Sequence, residues 1–164
     1  MFGYEESYGC LIADFARDKD GVQASLMLCE AAAYYKEQGK TLWDVLDDLY
    51  AEFGYYRDAL TNVVHKGSAG AKKIAALMDN LRDAPPTECN GIAVTDVEDY
   101  LSDRMMAAGF PSSNVLRFTL ADGSWVAVRP SGTEPKCKYY YCVTGANAKE
   151  TDAKLAAMRQ VFES

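Results

Sequence analysis

The chain has one histidine, no CxxC pair, no long apolar run and no excess of positive charge. Each absence closes a class of function. His65 alone gives a zinc site almost no nitrogen ligands. Five cysteines, Cys10, Cys29, Cys89, Cys137 and Cys142, are an odd number without ligand spacing. They read as buried, reduced thiols of a reducing compartment rather than a disulfide framework. No apolar segment approaches the ~20 residues that a membrane-spanning helix needs. No signal-peptide pattern stands at the start, so a cytoplasmic location is expected. Lys and Arg number 17 against 24 Asp and Glu, a formal charge of −7. That balance speaks against nucleic acid as a partner but not against a local anion site built from a few residues. Neither a GxxxxGK[ST] loop nor a DxDxD run occurs, which excludes a Walker-type nucleotide site and an Asp-rich metal loop.

What is present suffices for a core: 49% of the 164 residues are hydrophobic. The opening MFGYEESYGC has a polar turn with no helix or strand before it, as in a chain cut from something larger. RDKDGVQASLMLCEAAAYYKEQG predicts a helix, apolar around much of its circumference and therefore buried, stopped by Gly39. TLWDVLDDLYAEFG predicts a second helix, with Thr41 and Asp44 in a capping-box spacing. A boundary is expected near residue 55, where helices give way to strands. YYRDALTNVVHK reads as a strand. Ser68 starts a third helix with Ile74, Leu77, Met78 and Leu81 on one face, ended by Pro85 and Pro86. GIAVTDVEDYL reads as a short strand followed by an irregular stretch. NVLRFTL and SWVAVR flank Ala121-Asp122-Gly123, a hairpin turn. KCKYYYCVTG is a further strand, and a helix runs from Ala148 with Leu155, Met158 and Phe162 on one side. The whole predicts an α+β class with three or four strands packed on helices.

Two stretches carry chemistry. RPSGTEPK joins two strands from Arg129 to Lys136. Pro130 and Pro135 stiffen it, so little entropy is lost on gripping a ligand. Gly132 permits close backbone approach and can take positive φ. Arg129 offers a planar fork of donors, and Ser131 and Thr133 add hydroxyls. With free backbone N–H groups these form a phosphate cradle. An ordinary tight hairpin also uses Ser, Gly and Thr, but it does not need two prolines and two cations. GYEESYG sets Glu5 and Glu6 side by side before Ser7. Paired carboxylates suit vicinal sugar hydroxyls, a metal, an acid/base pair, or simply a solvated acidic turn. RDKDG, from Arg17 to Gly21, fits a helix start, with Lys19 as a surface charge.

GYEESYG, RDKDG and RPSGTEPK, in that order and spacing, closely resemble motifs of the α-D-phosphohexomutases, the phosphoglucomutase/phosphomannomutase family. The resemblance runs the length of the chain and leans towards the phosphoglucomutase branch. It implies a helical α/β remnant of domain three over residues 1–55 and a compact α+β domain four over residues 56–164, with a small, mostly antiparallel sheet packed on helices. It implies that Glu5 and Ser7 bind sugar hydroxyls. It further implies that Lys19, Arg129, Ser131, Gly132 and Thr133 bind the phosphate not being transferred. The partner would be a glucose or mannose phosphate, whose two ends are interconverted through a bisphosphate. The family's catalytic serine and its Mg²⁺ lie in domains one and two, so no catalytic or metal residue is expected in this chain. As a C-terminal part it would pack on the N-terminal domains of its own full-length chain and be inactive alone. The alternative is a stand-alone, non-catalytic anion-binding α+β module.

Overall fold

The computed structural model describes the chain except residues 1–2, 6–8, 16, 66–67 and 164 and the side chain of Ser68. In order, the elements are β1 (Gly3–Tyr4), β2 (Cys10–Leu11), α1 (Gly21–Glu37), α2 (Leu42–Phe53), β3 (Tyr55–Val64), α3 (Ser68–Asp83), β4 (Glu88–Cys89), β5 (Ile92–Asp99), α4 (Asp103–Ala107), β6 (Leu116–Leu120), β7 (Trp125–Pro130), β8 (Lys136–Gly145) and α5 (Ala148–Phe162). The fold divides into two compact units, 1–53 and 54–164.

The second unit is an antiparallel sheet in the order β3-β8-β7-β6-β5-β4, packed on α3 and α5. It is an α+β fold with six strands among the described residues, more than the three or four expected. Period-two alternation gives the sheet one buried face. Leu116, Phe118 and Leu120 of β6, Val126 and Val128 of β7, and Cys137, Tyr139, Tyr141 and Val143 of β8 all point to it. Ile74, Met78 and Leu81 of α3, with Leu155, Met158 and Phe162 of α5, close that core. The rings of Phe118 and Phe162 meet at 5.0 Å between centroids. The predicted β6–β7 turn is present, with Gly123 at φ +86°, where a side chain is strained. Helix α4 follows β5, in the stretch read as irregular. Its cap Ser102 accepts from the Met105 N–H, and Met105 is the one side chain of its five residues that is buried.

In the first unit, the Thr41–Asp44 box forms in both directions. Thr41 N–H donates to Asp44 Oδ2 at 2.7 Å and Asp44 N–H to Thr41 Oγ1 at 3.2 Å. Asp20 caps α1 by accepting from the Val22 N–H at 2.9 Å, so the helix starts four residues later than Arg17. Gly39, at φ +75°, ends it by donating to the Lys36 carbonyl. The expected burial of α1 is not found. No residue of α1 is buried, and Val22 and Leu26 are 79% and 60% exposed. The reason is geometric: the apolar side chains are spread around the helix, and α2 with a two-residue ribbon cannot cover them all. Cys29 is accordingly exposed rather than buried, while Cys89 and Cys137 are in the core. Among the described residues no helix is long and apolar enough to cross a membrane.

Candidate phosphate-binding site

The Arg129 loop is the connection from β7 to β8, and it is held at both ends. Ser131 N–H donates to the Lys136 carbonyl at 2.9 Å, and Lys136 N–H returns to the Glu134 carbonyl at 2.7 Å. The His65 N–H, just past β3, donates to the Pro135 carbonyl at 2.8 Å. His65 is itself fixed against α3, because a Cβ on Gly70 would lie 1.9 Å from its carbonyl oxygen. Lys136 pairs with Glu134 and holds that carboxylate below the usual range.

Within the loop, Ser131 Oγ accepts from the Thr133 and Glu134 N–H groups at 3.4 and 3.3 Å. These are long, weak bonds that a ligand oxygen can replace. They use the oxygen of Ser131, not its hydroxyl proton, which stays available as a donor. The nest of free N–H groups expected from the sequence is thus mostly occupied. Gly132 N–H alone has no hydrogen bond among those of the described loop residues. Gly132 is not in the left-handed region, contrary to one reason for a glycine there. A Cβ at this position would meet nothing within 4 Å. The fold therefore does not demand glycine at 132, and what remains is room for something outside the chain.

Val128 is buried and Arg129 is exposed, so the guanidinium is on the outer face of the sheet. Directly opposite it across the β7–β8 ladder is Lys138, on the same face. Lys138 Nζ sits 5.8 Å from the Tyr140 ring centroid. Neither Arg129 nor Lys138 is in an ion pair among the described residues. On the helix side of the loop is a cleft of about 390 Å³, lined by Ser131, Gly132, Thr133 and Glu134, by Ala71, Ile74 and Ala75 of α3, and by Asn114. Arg129 is not in its wall. Lys138 was missed by sequence reasoning. Its signal, a cation two residues beyond Lys136 in a strand whose alternate residues are apolar, becomes legible only once the register is known.

In the first unit, Lys19 Nζ meets Glu5 Oε2 at 3.3 Å, with the two side chains 51% and 30% exposed. Gly9 lets them meet, since a Cβ there would lie 2.8 Å from Glu5 Oε1 and 3.0 Å from Lys19 Cβ. Two of the residues read as ligand-binding are therefore brought together, closely packed against Gly9. Ser7 lies outside the described residues, as does Glu6. Among the described residues no group of three or more His, Cys, Asp or Glu is placed to hold a metal ion.

Residues 1–53 match the family model for phosphoglucomutase/phosphomannomutase, alpha/beta/alpha domain III, and residues 60–162 match that for the C-terminal domain of the same enzymes. The chain belongs to the phosphoglucomutase/phosphomannomutase family. Its match is to the C-terminal part. It is 40% identical over 166 residues to the phosphoglucomutase of Staphylococcus aureus strain USA300, covering 96% of this chain and 30% of that protein. The phosphoglucomutase of Staphylococcus haemolyticus is 39% identical over 158 residues, covering 92% of this chain and 29% of its own length. The chain thus spans about 30% of the length of these phosphoglucomutases. Among solved structures, the open form of the Paramecium phosphoglucomutase pp63/parafusin superposes with a TM-score of 0.66 over 96% of this chain and 28% of that one. At 20% identity that likeness supports the phosphohexomutase fold alone.

Proposed function

We propose that this chain is the ligand-holding C-terminal part of a cytoplasmic phosphohexomutase, with residues 1–55 the end of domain three and 56–164 domain four. Its substrate would be a hexose phosphate, glucose phosphate before mannose phosphate, given the names of its relatives. The observation that carries this is the base of the β7–β8 loop. Two cations, Arg129 and Lys138, stand side by side, neither in an ion pair among the described residues, beneath a tethered loop whose glycine faces open space. Like charges directly opposite each other on a sheet cost stability unless an anion is there. A phosphate supplies that anion, and Arg129 is suited to grip it through two oxygens. Ser131, Gly132 and Thr133 then contribute the hydroxyls and the N–H that complete the shell.

Glu5 and Ser7 would read sugar hydroxyls, and Lys19 the phosphate or the sugar. The Glu5–Lys19 pair is exposed, so it is worth little to stability and is free to exchange partners when a ligand arrives. A mutase that works through a bisphosphate must accept either end of the sugar. A loop that reads only phosphate allows this, because it does not distinguish a 1-phosphate from a 6-phosphate. The phosphoryl-donating serine and the Mg²⁺ that assists it would belong to other parts of the full-length enzyme.

The test is binding of glucose 1-phosphate, glucose 6-phosphate and free glucose, followed by backbone amide shifts. Both esters should move the same signals at residues 131–134, and glucose should move none of them. Equal shifts with free glucose would contradict the phosphate assignment.

A further inference from the structure

One polar side chain in the wall of the cleft comes from neither the loop nor α3: Asn114, in the segment leading into β6. That segment is pinned to the end of β5. Tyr100 N–H donates to the Val115 carbonyl at 3.0 Å, and Ser113 N–H donates to the Tyr100 carbonyl at 3.2 Å. The side chain is fixed as well. Arg82 Nη2 donates to Asn114 Oδ1 at 2.5 Å, and the same guanidinium donates from Nε to Asp99 Oδ2 at 2.9 Å. Arg82 and Asp99 are 21% and 27% exposed, so that pair is partly sheltered from water, while Asn114 is exposed.

The clamp settles which way the amide points. A guanidinium can only donate, so the amide oxygen must face Arg82 and the NH₂ group must face away from it. That NH₂ group has no hydrogen-bond partner among the described residues. An exposed asparagine gains little stability from being so held. What the clamp does provide is a donor fixed in direction at the wall of an open cleft, which loses little rotamer freedom when a ligand arrives. Glu134 also lines the cleft, and its carboxylate is paired with Lys136.

We propose that Asn114 is a ligand-binding residue of this cleft, its amide nitrogen donating to a phosphate oxygen of the ligand that the loop holds. The inference rests on the phosphate assignment of the loop, and Arg82 with Asp99 acts on the ligand only through Asn114, as a positioning pair.

The experiment titrates inorganic phosphate into the 164-residue chain while following two sets of signals: the backbone amides of residues 131–134 and the side-chain NH₂ of Asn114. The NH₂ signals should move with the same Kd as the loop amides. Asn114→Ala should weaken Kd about three- to tenfold, the loss of one neutral hydrogen bond. Asn114→Asp should weaken it further, since it adds a carboxylate to the wall. Arg82→Met should keep the fold while raising Kd about twofold and reducing the movement of the Asn114 signals, because the amide is then free to turn. Loop amides that move while the Asn114 NH₂ stays still, or an unchanged Kd in Asn114→Ala, would overturn this inference and leave the loop assignment standing. Loop amides that do not move would overturn both.

Discussion

Arg129 on β7 and Lys138 on β8 are direct cross-strand partners on the outer face of the sheet, two cations with no acidic side chain paired to either among the described residues. In the empty protein this juxtaposition is a liability, and it is the kind of local cost expected at a binding site rather than in a scaffold. Lys138→Thr should therefore stabilise the phosphate-free chain by about 0.5 kcal/mol, the size of an opposed like-charge pair. The same substitution should weaken phosphate binding. Thermal unfolding with and without phosphate checks both signs in one experiment. A variant that is destabilised without phosphate would mean that the two cations are not in conflict.

The core of the second unit predicts where stability resides. Phe118 and Phe162 are completely buried and in ring contact, so Phe118→Ala should cost about 3–5 kcal/mol by denaturant unfolding. Helix α1 has no buried residue. Its amides should exchange with solvent much faster than those of β6, β7 and β8. Protection of α1 equal to that of β8 would contradict the difference in burial.

A pH dependence follows from the link between α5 and the β6–β7 turn. Lys154 Nζ reaches Asp122 Oδ2 at 2.9 Å, and the pair is 18% and 23% exposed. Burial pushes the Asp122 carboxyl up, but hydrogen bonds from Lys154 and Ser124 outweigh it and hold the group below its ordinary value of 3.8. A depressed carboxyl stabilises the fold above its unfolded pKa, and that contribution is lost as pH falls through the lower folded value. Stability should therefore decline below about pH 4. Asp122→Asn should lower stability at pH 7 by about 2 kcal/mol and flatten that decline. Unfolding curves between pH 2 and pH 7 decide it. An unchanged slope in Asp122→Asn would show that other carboxylates carry the acid sensitivity.

Turnover should be absent. The 164 residues contain neither a Ser-His loop to donate a phosphoryl group nor, among those described, a cluster able to hold Mg²⁺. The purified chain, supplied with Mg²⁺ and a hexose bisphosphate, should not interconvert glucose 1-phosphate and glucose 6-phosphate. Measurable interconversion would require a phosphoryl carrier within these residues.

The sequence made some of this legible because the signals are local. The Thr41–Asp44 cap, the Ala121-Asp122-Gly123 turn and the alternation of β8 each depend on residues within a few positions of one another. The RPSGTEPK loop is legible for the same reason. Other features depend on what a residue faces. Lys138 acquires meaning only opposite Arg129, and Asn114 only beside Arg82, 32 residues earlier. The apolar surface of α1 suggested burial because its composition says nothing about how many neighbours are there to cover it. Gly132 suggested a left-handed backbone, and the structure instead leaves empty space beside it.

The central claim is that the β7–β8 loop holds phosphate, and its most direct test is a phosphate titration followed by backbone amide shifts in the wild-type chain and in Arg129→Ala. The signals of Ser131, Gly132 and Thr133 should move in the wild type with a Kd on the order of millimolar, roughly 4 kcal/mol, and should stay still in the variant. Signals that do not move in the wild type, or that move equally in Arg129→Ala, would contradict the account.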